Sequence, residues 1–181
     1  TTYGMKNIRV NRLICNEYRT GDHVIIYEGV LTRSITKSEG DRVFILVNNG
    51  ALSFTLQTIR ITDSKVKRIS INDLDLDGKP ELILTNQLEN LISILANQSS
   101  AGGGIIFGSP MEIELPEATS SDALDIHDMN SDGLPEIVTS PFQSSNNNKI
   151  FILINKSSPG NFNFDDKAVL DVNNAVSNVR I

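Results

Sequence analysis

Two nine-residue acidic runs constrain this chain more than any other feature. Asp73-Leu-Asp-Leu-Asp-Gly-Lys-Pro-Glu81 and Asp128-Met-Asn-Ser-Asp-Gly-Leu-Pro-Glu136 match position for position at a separation of 55 residues. Each opens directly into an apolar run, Leu82–Thr85 in one and Ile137–Thr139 in the other. Carboxylates packed this closely repel one another unless a cation sits among them. Oxygen-bearing side chains at alternate positions, with a glycine at the sixth to permit a sharp turn, form the donor pattern that Ca²⁺ takes. The spacing predicts two calcium loops set inside a repeat.

The repeat extends well beyond the loops. A short alternating segment precedes each one (Val66–Ile71, Ala123–Ile126), and an apolar run follows. A third run ends in asparagine, Ile92–Asn97 and Ile150–Asn155, and after a Gly/Ser-rich turn a phenylalanine opens a fourth, Phe107–Leu115 and Phe164–Leu170. A degenerate copy lies upstream: Val24–Tyr27 stands for the second run, Val43–Asn48 for the third and Phe54–Ile61 for the fourth. Its loop, Cys15–His23, has lost the alternate acids, so no calcium is expected there. Val179–Ile181 repeats Ile69–Ile71 as the start of a further unit.

Four short β-rich segments per unit, separated by turn residues and without helical periodicity, predict an all-β chain of four-stranded antiparallel sheets. Units of 55 to 60 residues that each form one such sheet suggest propeller blades. The expected division is residues 8–62, 63–118 and 119–175, with 176–181 left over as the first strand of another blade. A closed propeller typically takes about four to eight blades. Three blades therefore lead us to expect a segment of a longer chain, and the start at Thr1 without a signal-peptide pattern fits a mature or excised piece. The connections between second and third strands (28–41, 86–90 and 143–148) and the turn at Ser99–Gly104 vary in length, as recognition loops on a regular scaffold do.

Within the loops, Asp73, Asp75 and Asp77, and likewise Asp128, Asn130 and Asp132, supply side-chain oxygens. Lys79 and Leu134 can contribute only backbone carbonyls. Pro80 and Pro135 fix φ just before Glu81 and Glu136, which are expected to close the coordination sphere, in a bidentate manner if both oxygens engage. An EF-hand needs its bidentate acid at position 12, and here that position is Leu84 or Thr139.

This pattern, followed by a strand and then by Asn and Phe landmarks, resembles the FG-GAP/VCBS repeats over residues 8–181, most clearly from Val66 to Leu170. The resemblance implies a calcium-bearing β-propeller, about seven-bladed when complete, like the head domains of integrin α-subunits. It further implies a secreted or cell-surface module that works in adhesion or ligand binding. The Phe-Gly signature survives only at Phe107-Gly108, and no Gly-Ala-Pro triplet occurs, which places the chain nearer the bacterial VCBS type.

Composition sharpens these expectations. Seven of the 22 acidic residues lie in the two loops, and two bound Ca²⁺ ions would bring the net charge from −6 to −2. An acidic chain is a poor partner for nucleic acid or an anionic membrane. No stretch approaches the roughly 18 apolar residues that span a bilayer. The single cysteine, Cys15, rules out an intrachain disulfide. Calcium modules of the extracellular kind fill at about 10⁻⁴–10⁻³ M, which favours an extracellular setting.

His23 and His127 have no accompanying nucleophile, and Gly102-Gly-Gly104 lacks the Lys-Ser/Thr of a phosphate loop, so no enzymatic role is expected. A lectin-like propeller is the alternative, but the chain has no Trp and three Tyr (Tyr3, Tyr18, Tyr27), all upstream of the two calcium-loop units. An accessory domain of a secreted polysaccharide-degrading enzyme is another. The partner is then a protein or a glycan, alongside the rest of the propeller. Phe54, Phe107 and Phe164 are expected between blades, and Asn97-Gln-Ser99 and Asn155-Lys-Ser157 fit the glycosylation sequon.

Overall fold

The computed structural model describes residues 33–35, 42–50, 53–60, 66–86, 91–100, 105–115, 121–141, 149–165 and 168–172. Eleven strands and no helix occur among them. The chain separates into two units, Thr1–Asp63 and Ser64–Ile181.

The first unit contains one three-stranded antiparallel sheet, β1 (Arg33–Ile35), β2 (Arg42–Gly50) and β3 (Ser53–Arg60), in that order. The strand paired with β2 is thus Arg33–Ile35, which lies inside the stretch expected to be a connection. Among the described residues it pairs on that side alone, and a strand of Arg, Ser and Ile offers no continuous apolar run to read from sequence. Val24–Tyr27 and the Cys15–His23 loop lie outside the described residues, as do Val179–Ile181.

The second unit contains two four-stranded antiparallel sheets built to one plan. The first runs β4 (Val66–Asn72), β5 (Glu81–Asn86), β6 (Leu91–Asn97), β7 (Phe107–Glu114), each strand beside its successor. The second runs β8 (Ser121–His127), β9 (Glu136–Pro141), β10 (Lys149–Leu153), β11 (Ala168–Asp171) in the same way. The last strand begins at Ala168 rather than at Phe164, which instead forms an isolated bridge to Asn155. Both sheets carry a register shift at one equivalent point of the first strand, between Val66 and Arg68 and between Ser121 and Ala123.

Burial follows from position in the sheet. The second strand is covered on both faces: all six residues of β5 are buried, which explains its unbroken Leu-Ile-Leu run. The outer strand β7 alternates, with Glu112 and Glu114 exposed and Met111 and Ile113 turned toward the core. Between the sheets lies one apolar cluster that includes Leu74, Ile83, Ile92, Ile94, Ile137, Phe151 and Leu153. The first strands of the two sheets, β4 and β8, lie side by side. Phe164 and Phe107 are both half-buried, and Phe164 packs against this cluster, as expected for a residue between sheets.

The asparagine and phenylalanine landmarks are backbone register partners, within the sheet in two cases and in an isolated bridge in the third. Asn48 is opposite Phe54, Asn97 opposite Phe107 and Asn155 opposite Phe164.

Candidate metal centre

Each acidic loop joins the first two strands of its sheet, β4 to β5 and β8 to β9, and its closing glutamate is the first residue of the second strand. Glu81 stands across from Asn72, and Glu136 across from His127. The two loops share one hydrogen-bond scheme. Gly78 N donates to Asp73 Oδ2 at 3.0 Å, and Gly133 N to Asp128 Oδ2 at 2.9 Å. Asp77 N donates to Asp75 Oδ1 at 3.1 Å, and Asp132 N to Asn130 Oδ1 at 2.8 Å. Lys79 N reaches Asp77 Oδ1 at 2.7 Å, and Leu134 N reaches Asp132 Oδ1 at 2.9 Å.

Such side-chain-to-backbone turns are natural for Asp and Asn at alternate positions. Backbone conformation repeats as well. Gly78 and Gly133 take φ of 84° and 93°, and the fourth loop residues, Leu76 and Ser131, take φ of 59° and 63°. Gly is at ease there; leucine is not.

The glutamates are enclosed, Glu81 at 1% exposure and Glu136 at 0%. Oε2 of each accepts a hydrogen bond from the backbone N–H of the second loop residue, Leu74 at 2.8 Å and Met129 at 2.7 Å. One oxygen of each glutamate thus pins the loop from within. In the second loop Oε1 also accepts Asn130 Nδ2 at 3.1 Å. Asn130 offers Glu136 an N–H that Asp75, at the same place in the first loop, has no group to offer Glu81.

Burial pushes the Glu81 carboxyl up to about 7, with the Leu74 N–H opposing and the charges of Asp75 and Asp73 adding to the rise. Asp132 is held below the usual carboxylate range, chiefly by the Leu134 N–H, with the Lys156 ammonium contributing.

Oxygen atoms of Asp73, Asp75 and Glu81 lie within 4.8 Å of one another, a group that could hold a metal ion. Asp73 Oδ1 and Asp128 Oδ1, from the first residue of each loop, are buried and have no hydrogen-bond partner. Buried carboxylate oxygens are expensive to leave unpaired, and a cation satisfies them. All donors are oxygens, so the residues present fit a hard divalent cation. Asp77 and Asp132 sit at the rim, where Lys79 Nζ and Lys156 Nζ approach them at 3.8 and 3.6 Å. Lys79 is exposed and Leu134 half-buried.

The landmark asparagines also belong to this centre, which their sequence did not reveal: Asn97 ends β6, whereas Asn155 lies two residues past the end of β10 rather than closing it as expected. Asn97 Nδ2 donates to Pro80 O at 3.0 Å, and Asn155 Nδ2 to Pro135 O at 2.9 Å, so each ties its sheet's loop to the far strand end. The Asn-x-Ser tripeptides form matching turns: Asn97 Oδ1 accepts Ser99 N at 3.0 Å and Asn155 Oδ1 accepts Ser157 N at 2.9 Å. The serine hydroxyls then accept Ile106 N and Asn163 N at 2.9 and 3.1 Å. These tripeptides are thus structural turns, and Asn155 is fully buried. Recurrence of Asn-x-Ser ahead of Phe107 and Phe164 was the available signal.

His127 is exposed at the end of β8, and His23 lies outside the described residues. Compared with protein-family profiles, with curated proteins and with solved structures, the chain matches none at a significant level.

Proposed function

We propose that this chain is a non-catalytic β-propeller segment in which each acidic loop binds one Ca²⁺, and that it serves a secreted or cell-surface protein by presenting its strand connections to a protein or glycan partner. The observation that carries this reading is the pairing of two loops with one hydrogen-bond scheme, each holding a buried, partnerless aspartate oxygen at its first position. Asp73, Asp75, Asp77, the Lys79 carbonyl and Glu81 are the proposed donors of the first site. Asp128, Asn130, Asp132, the Leu134 carbonyl and Glu136 are those of the second. An irregular loop with five oxygen donors suits Ca²⁺ better than Mg²⁺, which demands near-ideal octahedral geometry. The side-by-side placement of β4 and β8 supports the radial blade arrangement.

Calorimetric titration of the chain with CaCl₂ and MgCl₂ tests the reading. Two calcium ions are expected per chain, with Kd on the order of 10⁻⁴–10⁻³ M and weaker binding of magnesium. A chain that takes up neither ion would sink the proposal.

A further inference from the structure

One short segment, Asn155–Gly160, touches both acidic loops. Asn155 is 0% exposed, and its Nδ2 donates twice: to Leu74 O in the first loop at 2.7 Å and to Pro135 O in the second at 2.9 Å. Its Oδ1 accepts Ser157 N, so every polar group of the amide is engaged. Leu74 lies between the donors Asp73 and Asp75 and gives its own N–H to Glu81. Pro135 immediately precedes Glu136. The amide therefore holds peptide units adjacent to candidate donors on both sides.

Two further contacts come from the same segment. Gly160 N donates to Asp75 Oδ2 at 2.7 Å, from a turn closed by the reciprocal bonds of Ser158 and Asn161 at 3.0 and 2.7 Å. Gly160 takes φ of 77°, which suits glycine. Lys156 Nζ stands 3.6 Å from Asp132 Oδ2, an exposed pair of small weight.

We infer that the Asn155–Gly160 segment couples the two loops, so that filling one site with Ca²⁺ raises the affinity of the other. The inference rests on the reading of both loops as calcium sites. A cation that draws the oxygens of Asp73 and Asp75 inward fixes the Leu74 carbonyl and the Gly160 turn. Asn155 is thereby fixed too, because turning away would leave buried polar groups unpaired. A fixed Asn155 holds Pro135 O, and with it the approach of Glu136 to the second site. Asn155 is a positioning residue in this scheme, and the coupling is reciprocal by necessity.

Amide resonances of Gly78 and Gly133, one per loop, read the two sites separately during a calcium titration of the full chain. Asp132→Ala is expected to move the Gly78 midpoint to calcium concentrations about fivefold higher, and Asp77→Ala to move the Gly133 midpoint likewise. In an Asn155→Ala background both cross-effects should vanish. Cross-effects that persist there would be through-space charge effects and would overturn the inference. Should Asn155→Ala not fold, the same comparison at high salt decides. Through-space effects are screened away there, whereas coupling through Asn155 survives. Midpoints that ignore the distant substitution overturn the coupling alone. Glycine resonances that ignore calcium altogether overturn the site reading and the coupling with it.

Discussion

Leu74 and Met129 hold the same place in their respective loops, yet Leu74 is fully buried and Met129 is 46% exposed. Both give their N–H to the closing glutamate, so the difference does not arise inside the loop. It arises from what lies over it. The first loop is covered by the second sheet, through Asn155, Gly160 and the shared apolar cluster. Among the described residues, nothing equivalent covers the second loop. Leu74→Ala is therefore expected to destabilise the chain by about 2–5 kcal/mol and Met129→Ala by no more than about 0.5 kcal/mol. Urea unfolding of the two variants beside the native chain checks the contrast, and equal losses would contradict it.

Calcium removal should be felt as lost stability. At roughly 1–2 mM Ca²⁺ each site is expected to add about 0.5–2 kcal/mol. Chelator should lower the melting temperature of the native chain, and Asp77→Ala or Asp132→Ala should each remove part of that response. Scanning calorimetry with and without chelator measures both. Superimposable melts would count against structural calcium.

Leu76 carries a left-handed backbone on a β-carbon that resists it, and its side chain is 54% exposed, so packing offers little compensation. Leu76→Asn should stabilise the loop by about 0.5–1 kcal/mol, since asparagine visits this conformation more readily. A lower melting temperature for Leu76→Asn, with calcium affinity unchanged, would show that the leucine side chain does something the backbone does not reveal.

The Glu81 carboxyl is raised from 4.5 to about 7 in the fold. Between these values the folded chain binds the proton that the unfolded chain has released, so without a cation stability falls as pH rises through that window. In chelator the melting temperature is expected to drop between about pH 5 and 7.5, and Glu81→Gln should flatten that drop. Saturating calcium favours the ionised carboxylate and should remove most of the slope. A melting temperature in chelator that rises steadily across the window would contradict the assignment.

Local chemistry made much of this fold readable. Alternation and turn residues placed the strands around the loops, and the Asn and Phe landmarks proved to be cross-strand partners: Asn48 with Phe54, Asn97 with Phe107, Asn155 with Phe164. Alternate acids with a glycine at the sixth position marked both loops. Three features stayed hidden for distinct reasons. Among the described residues Arg33–Ile35 pairs with β2 alone, and its three residues contain no apolar run to read. Leu76 is the wrong residue type to announce a positive φ. The bond from Asn155 to Leu74 spans 81 positions, a distance no local pattern encodes.

Asn155 also carries a practical warning for production of this protein. Its tripeptide is one that a eukaryotic secretory host would treat as an acceptor for N-linked sugar, yet the folded side chain is sealed from solvent with both amide hydrogens committed. Transfer could happen only while the nascent polypeptide is still open, and a chain decorated there could not seat that strand end. A bacterial host, or Asn155-Lys-Ser157 with its serine replaced by alanine, avoids the trap. The alanine change forfeits the hydroxyl that receives Asn163 N.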